Sequence, residues 1–224
     1  MTTRAAIPDD DGWLSRLAPT TRAFVCERAR QRRYADRAIV YAVGDPPDGL
    51  YHVLSGEVRL FAYPVPGRQL LTLSARPRHW FGELSVLDGG PRPHDAICHG
   101  PTSVLHLSHR DVAAFARTDP AIYGDIALIA CGHQRAALSF IGNMLVKPSR
   151  ARLADMILSM ASSARDGEAP ALRVSQEDLA TQVGVSRQHL SGLLAELRAG
   201  GSIATGYGRI VVLDVAALRD IARA

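Results

Sequence analysis

The 224-residue sequence is short of several things, and each shortage excludes a class of protein. Lys147 is the only lysine, so arginine carries nearly all the positive charge; a GC-rich genome accounts for this without any functional choice. Three cysteines, Cys26, Cys98 and Cys131, lie far apart, with no CxxC pair and no N-terminal cluster. That pattern offers no zinc or iron–sulfur ligand set, so no metal site is expected. No stretch approaches the roughly 18 apolar residues of a membrane span. The opening MTTRAAIPDDDGW has three consecutive acids and no apolar run, unlike a secretion signal. Few thiols and no targeting segment together predict a cytoplasmic protein with no membrane partner. Nor is there a nucleophile–base–acid set or a phosphate loop, so the chain does not read as an enzyme.

What is present is ordinary globular material, 47% hydrophobic and 21% charged, with length enough for one large domain or two modest ones. A net charge of +4 permits a polyanionic partner without demanding one. Residues 9 to 34 read as short helical pieces with Trp13, Leu14, Leu17 and Phe24 on an apolar face. From Ile39 to about Leu107 short apolar runs alternate with glycine and proline turn signals, which predicts an antiparallel sandwich or barrel. A helical segment at Arg110 to Arg117 follows, and a long helix opens at Asp119-Pro120, an N-cap and a first-turn proline. Along it Ile122, Ile126, Ile129, His133, Ala136 and Phe140 alternate spacings of four and three, a heptad seam suited to pairing with a second copy. A single amphipathic helix packed on its own domain gives the same spacing. Pro148 should end the helix, so the expected division is 1–118, a helix 119–146, and 147–224.

The strongest local signal is VSQEDLATQVGVSRQHLSGLLAELRAGGSI, Val174 to Ile203. Ser175 with Asp178 resembles a capping box and opens one helix. Gly184 supplies the turn, Ser186 caps a second helix, and Leu190, Leu193, Leu194 and Leu197 form its buried stripe. This is a helix-turn-helix. Its second helix should enter the DNA major groove by its N-terminal end. Arg187 can pair bidentately with guanine and Gln188 with adenine, while His189 can donate to a base or a phosphate and Ser191 lies beside them. The strand pair around Gly206-Tyr207-Gly208 makes a wing, with Tyr207 at its tip and Arg209 near the phosphates. The expected DNA-contacting set is Ser175, Ser186, Arg187, Gln188, His189, Ser191, Tyr207 and Arg209.

The order of these parts resembles the Crp/Fnr family of regulators. The resemblance covers nearly the whole chain and is carried by LYHVLSGEVRLF (Leu50 to Phe61), FGELSVL (Phe81 to Leu87), RARLADMIL (Arg150 to Leu158) and LATQVGVSRQHLSGLL (Leu179 to Leu194). It implies an α+β fold: an N-terminal cyclic-nucleotide-binding-type β jelly roll, a long dimerisation helix and a C-terminal winged helix-turn-helix. It also implies a homodimer reading palindromic duplex DNA and touching RNA polymerase. Family members that bind cyclic AMP use a Gly-Glu-Leu segment and, about ten residues on, an Arg-Ser pair. Gly82-Glu83-Leu84 matches the first. His94 and Asp95 stand in place of the second, with Arg92 on the far side of Pro93, and an Asp beside a phosphate is repulsive. The hydroxyl pair expected on the long helix is reduced to Ser139. The effector set implied is therefore Gly82, Glu83, Leu84, Arg92, His94, Asp95 and Ser139, degraded in a way that argues against cyclic AMP and leaves no cofactor expected.

Some relatives hold haem through histidine. Here His94, His99, His106 and His109 are close in sequence, but hydrogen-bonded loop histidines explain them more simply. The second helix also departs from the family's Arg-Glu pair with a second Arg five residues on: Gln188 replaces Glu and Gly192 replaces that Arg, which predicts an altered half-site. The rival reading is a small-molecule sensor whose output is a protein contact.

Overall fold

The computed structural model describes residues 12–65, 67–162, 171–206 and 208–223. These form two compact units, Met1–Arg135 and Ala136–Ala224.

The first unit begins with a 3-10 turn, Leu14–Arg16, and α1, Pro19–Arg28. Strands β1 (Arg30–Tyr34), β2 (Ile39–Tyr41), β3 (Gly49–Val65), β4 (Arg68–Ala75) and β5 (Trp80–Phe81) follow. Then come α2 (Glu83–Asp88), β6 (Asp95–Ser108), α3 (His109–Ala116) and the start of α4 (Ala121–Val146). All pairings are antiparallel, in the order β1-β6-β3-β4 with β2 on β6 and β5 on β3. This is the antiparallel architecture that the closely spaced turns predicted, in the roll form that the resemblance implied.

The spine is β3 against β6, running from Gly49↔Ser108 to Phe61↔Asp95 with register shifts either side of Ser55. Side chains alternate across it, so one strand serves two cores. Tyr51, Val53, Val58 and Leu60 point into the roll with Phe81, Ala96, Cys98 and Val104. Leu50 and Leu107 pack outside it with Leu14, Val25, Trp80 and Val112.

Two expectations are corrected here. The stretch 9 to 34 is not helical throughout: RQRRY forms β1, paired along Arg30↔His106 to Tyr34↔Thr102. Its four polar residues give no strand pattern, and only the long-range ladder to β6 makes it one. The second correction concerns the α4 seam. Ile122, Ile126 and Ile129 are buried in the chain's own outer core, at 0%, 0% and 8% exposure, and cannot also face a second copy. His133, half-buried, turns toward Glu83. Only Ala136 and Phe140 of that seam are exposed. At Ile122, Ile126 and Ile129 the heptad spacing reflects packing on the protein's own domain. On the opposite face of α4, Gly124, Leu128, Cys131, Arg135, Leu138, Gly142 and Leu145 repeat at four and three and are all exposed.

In the second unit α4 ends at Val146, immediately before Lys147-Pro148, as the proline required. The chain continues as α5 (Ser149–Ser162), β7 (Ala171–Arg173), α6 (Gln176–Val183), α7 (Arg187–Ala199), β8 (Ile203–Gly206), β9 (Arg209–Val212) and α8 (Val215–Arg223). A three-stranded antiparallel sheet, β7-β9-β8, closes one side. Leu153, Ile157, Leu179, Ala180, Leu190, Leu197, Ile203, Ile210 and Leu218 form one core. Lys147 ties the start of this bundle together, its Nζ donating to Asp155 at 2.5 Å and to the Ala222 carbonyl at 2.8 Å. No helix among the described residues is long and apolar enough to cross a membrane.

Candidate functional site

Two regions hold the residues singled out above, and each is built from its own unit. In the second unit both helix starts are capped as expected. Ser175 Oγ accepts from the Asp178 amide at 3.0 Å, and Ser186 Oγ accepts from the His189 amide at 3.2 Å. These hydroxyls are therefore occupied in holding the helices, leaving the first-turn backbone amides as the anion-seeking groups. Between the helices Gly184 adopts φ 72°, a left-handed turn that a side chain would strain.

Leu190, Leu193, Leu194 and Leu197 anchor α7 in the core, which turns Arg187, Gln188, Ser191 and Gly192 outward and exposed. Glycine 206 pairs with Arg209 at the hairpin, and Arg209 is exposed. Tyr207 lies outside the described residues. His189 is exposed but engaged: its Nε2 shares a hydrogen bond of 3.0 Å with Ser149 Oγ at the start of α5. Arg150, next in α5, lies 3.8 Å from Glu196 of α7. Arg152 donates to the Val183 carbonyl at 3.0 Å and the Lys147 carbonyl at 2.7 Å. Sequence reading missed this clasp between α5 and α7, because partners some forty residues apart leave no local signal.

The first unit holds six of the seven expected effector residues, around the start of α2. Gly82 has φ 87°, and a Cβ there would lie 2.9 Å from Arg92 Nη1. The missing side chain is what lets Arg92 in. Arg92 is fully buried, with Nη1 donating to the Gly82 carbonyl at 2.8 Å. Its Nη2 donates to the Gly49 carbonyl at 2.7 Å and to Asp48 at 2.5 Å. The guanidinium lies 4.2 Å over the Tyr41 ring, and its Nε has no hydrogen-bond partner among the described residues. Asp48 is the hub: it also accepts from Tyr51, and it faces His106 at 3.4 Å and Arg32 at 3.5 Å. Burial pushes its carboxyl up, but hydrogen bonds from His106, Tyr51 and Arg92 outweigh that and hold it below the usual carboxylate range.

The other members are committed elsewhere. Buried Glu83 takes a 2.9 Å hydrogen bond from His133 Nδ1 of α4. His94 stacks on Tyr41 with centroids 5.8 Å apart, and burial lowers its pKa. Asp95 accepts from the Val43 amide at 2.7 Å and from the Tyr63 hydroxyl, a structural role on β6. Leu84 points outward at 47% exposure. Ser139 is exposed and belongs to the second unit. Asp48, Tyr41 and Tyr51 were not singled out from the sequence, and His106 was named only among the four histidines that lie close together in it.

The histidines do not converge. His106 is buried with Nε2 3.1 Å from the Asp48 carbonyl, and His99 is exposed. Among the described residues no group of three His, Cys, Asp or Glu side chains is placed to hold a metal ion.

Comparison with known proteins matches both units. Residues 31–119 match the family described as cyclic nucleotide-binding domain, and residues 151–221 the family described as Crp-like helix-turn-helix domain. The "Cyclic AMP receptor protein" of Thermus thermophilus is 29% identical over 206 residues, covering 92% of this chain and 94% of the relative. A "CRP-like cAMP-activated global transcriptional regulator" of Mycobacterium tuberculosis is 27% identical over 188 residues, covering 82% of this chain and 84% of the relative. Among solved structures, a CRP-family transcriptional regulator from Thermus thermophilus superposes with TM-score 0.71 at 29% identity, covering 86% of this chain and 97% of the other. FixK2 of Bradyrhizobium japonicum shares the fold, with TM-score 0.75 at 22% identity over 86% of this chain and 96% of the other.

Proposed function

The chain belongs to the Crp/Fnr family of transcription regulators, and from that premise we propose that it is a homodimer reading a palindromic DNA site without control by cyclic AMP. The observation that carries the DNA reading is the outward face of α7. Arg187, Gln188 and Ser191 are exposed on a helix whose other side is fixed by four buried leucines and whose start is capped. Such a face is rigid enough for base readout and free to make it. Arg187 takes guanine and Gln188 adenine. His189, held by Ser149, positions the helix instead of reading a base, and Arg209 approaches the backbone.

Dimerisation falls to the outward seam of α4, where Leu128, Leu138 and Leu145 are 50%, 57% and 81% exposed. Exposed leucines at heptad spacing are covered most simply by the same seam of a second copy, and Arg135 within it favours one register. Two copies then present two α7 helices to half-sites about one helical turn apart. RNA polymerase is the further partner that the family implies.

Independence from cyclic AMP rests on Arg92. The cation that would answer a cyclic phosphate is neutralised by Asp48, and a phosphate arriving there would meet that carboxylate. Glu83, the residue that a ribose would need, is bonded to His133. The residues present do not fit the nucleotide.

The test is selection from random duplexes, followed by fluorescence anisotropy on the recovered site at stated salt, with and without cyclic AMP. Family readers with the Arg-Glu pair and the second Arg recognise TGTGA-type half-sites, so the expected outcome is a palindrome whose half-site differs from TGTGA at the Gln188 position, bound equally tightly in both conditions. Recovery of unaltered TGTGA half-sites would overturn the altered-specificity reading. A severalfold tightening by the nucleotide would show that the Arg92–Asp48 pair opens.

A further inference from the structure

We propose that Gly192 sets the depth at which α7 docks on DNA, its missing side chain leaving room for the edge of a base pair beside Gln188. The inference rests on the DNA-binding reading above and adds to it a residue that makes no side-chain contact at all.

Glycine is the poorest helix former after proline, and in a helix interior it normally needs a packing reason. Gly192 sits in the middle of the 13-residue α7, and a Cβ built on it meets nothing within 4 Å. Among the described residues no neighbour requires it to be glycine. The contrast with Gly82 and Gly184 is direct, since both adopt left-handed backbone that a side chain would strain. Among the described helix-interior glycines, the others with the same empty surroundings are Gly124, Gly132 and Gly142, all on α4. Gly124 and Gly142 lie on the seam assigned to the second copy, where a close approach is also required.

The space at Gly192 is used from outside. It opens into a shallow depression of ≈ 350 Å³ lined by Ser186, Gln188, His189, Gly192, Leu193 and Glu196. Residues four apart share a helical face, so Gly192 lies directly beside Gln188 and on the exposed side of α7. A base-pair edge in the major groove fits that depression. With no Cβ in the way, the helix backbone comes close enough for the Gln188 amide to make both of its hydrogen bonds to adenine, each needing about 3 Å. A methyl group at 192 holds the helix off, and the two-point contact fails first because it tolerates the least displacement. Backbone contacts to phosphate, made by longer and more flexible groups, adjust.

The prediction therefore has opposite signs for folding and binding. Gly192→Ala should raise the midpoint of thermal unfolding by a few degrees, as a better helix former at an unstrained site. The same variant should bind the selected duplex about tenfold more weakly, with its preference relaxed most at the base pair that Gln188 reads. Gly192→Ser should lose more affinity than alanine. Anisotropy on the selected duplex, on single-base variants of it and on a random duplex, together with unfolding on the same samples, reads all of this. Affinity equal to or above the parent in Gly192→Ala, while Arg187→Ala binds weakly, overturns the proposal and leaves the DNA reading standing. Parent-like binding by both variants overturns both.

Discussion

Asp48 answers Arg92, His106, Tyr51 and Arg32 at once, so its loss is felt by four side chains. Removing one partner of a buried ion pair costs about 3–5 kcal/mol, because the remaining charge is left unpaired. Here the Asp48 side chain is 43% exposed although that of Arg92 is not exposed at all, so solvent moderates the figure. We expect Asp48→Asn to cost on the order of 2 kcal/mol in urea unfolding at pH 7. The effect has a pH signature. The folded carboxyl titrates below its ordinary value of about 3.9. Its contribution is therefore present above that value and is lost as pH falls through the folded one. The stability gap between the parent and Asp48→Asn should narrow steadily on acidification below pH ~4. A gap that stayed constant to pH 3 would mean that the Asp48 charge is not what Arg92 depends on.

At the scale of single elements, α7 owes its orientation to three devices: the Ser186 cap, the leucine stripe, and the clasp of Ser149 on His189. The first and third can be separated. Ser186→Ala should cost about 1 kcal/mol of unfolding free energy, the usual value for a lost N-cap. Ser149→Ala should leave stability within about 0.5 kcal/mol, since the bond is exposed, yet weaken binding to the selected duplex severalfold by loosening the helix. Calorimetry and anisotropy on the two variants distinguish them. Loss of stability without loss of binding in Ser149→Ala would remove the positioning role from His189. The same helical scale explains the misread seam of α4. A spacing of four and three marks a helix with one apolar stripe, and the sequence does not say which neighbour covers it. Three isoleucines met α1, α3 and the roll in the same chain, and the second stripe was less conspicuous because it mixes leucine with glycine, cysteine and arginine.

For the whole molecule the dimer is the feature with the widest consequence. Leu138→Asp places a charge in the outward seam of α4, where the side chain is 57% exposed in the single chain, so folding of the protomer should be little affected. Sedimentation equilibrium should then show monomers, and affinity for the full palindrome should fall toward that of an isolated half-site. A variant that stayed dimeric would move the interface off this seam. The same measurement on Phe140→Asp, on the face first expected to pair, should show an unaltered dimer.

Much of this protein was decided locally and could be read from its sequence. The caps at Ser175 and Ser186, the turn at Gly184 and the stop at Pro148 depend on neighbouring residues and backbone sterics, so each stands where the residue types required. The alternation of turns and apolar runs likewise pointed to an antiparallel sandwich or barrel before any strand was paired, and the family resemblance narrowed it to a roll. Tertiary structure decided what depends on distant partners. It made a strand of the arginine-rich β1, brought Asp48 to an arginine 44 residues away, and joined Ser149 to His189. It also chose which apolar stripe of α4 is consumed within the chain and which is left outward. Hydrogen bonding in a turn is set by backbone geometry over a few residues, whereas an ion pair or a buried face is set by whatever the rest of the chain brings against it.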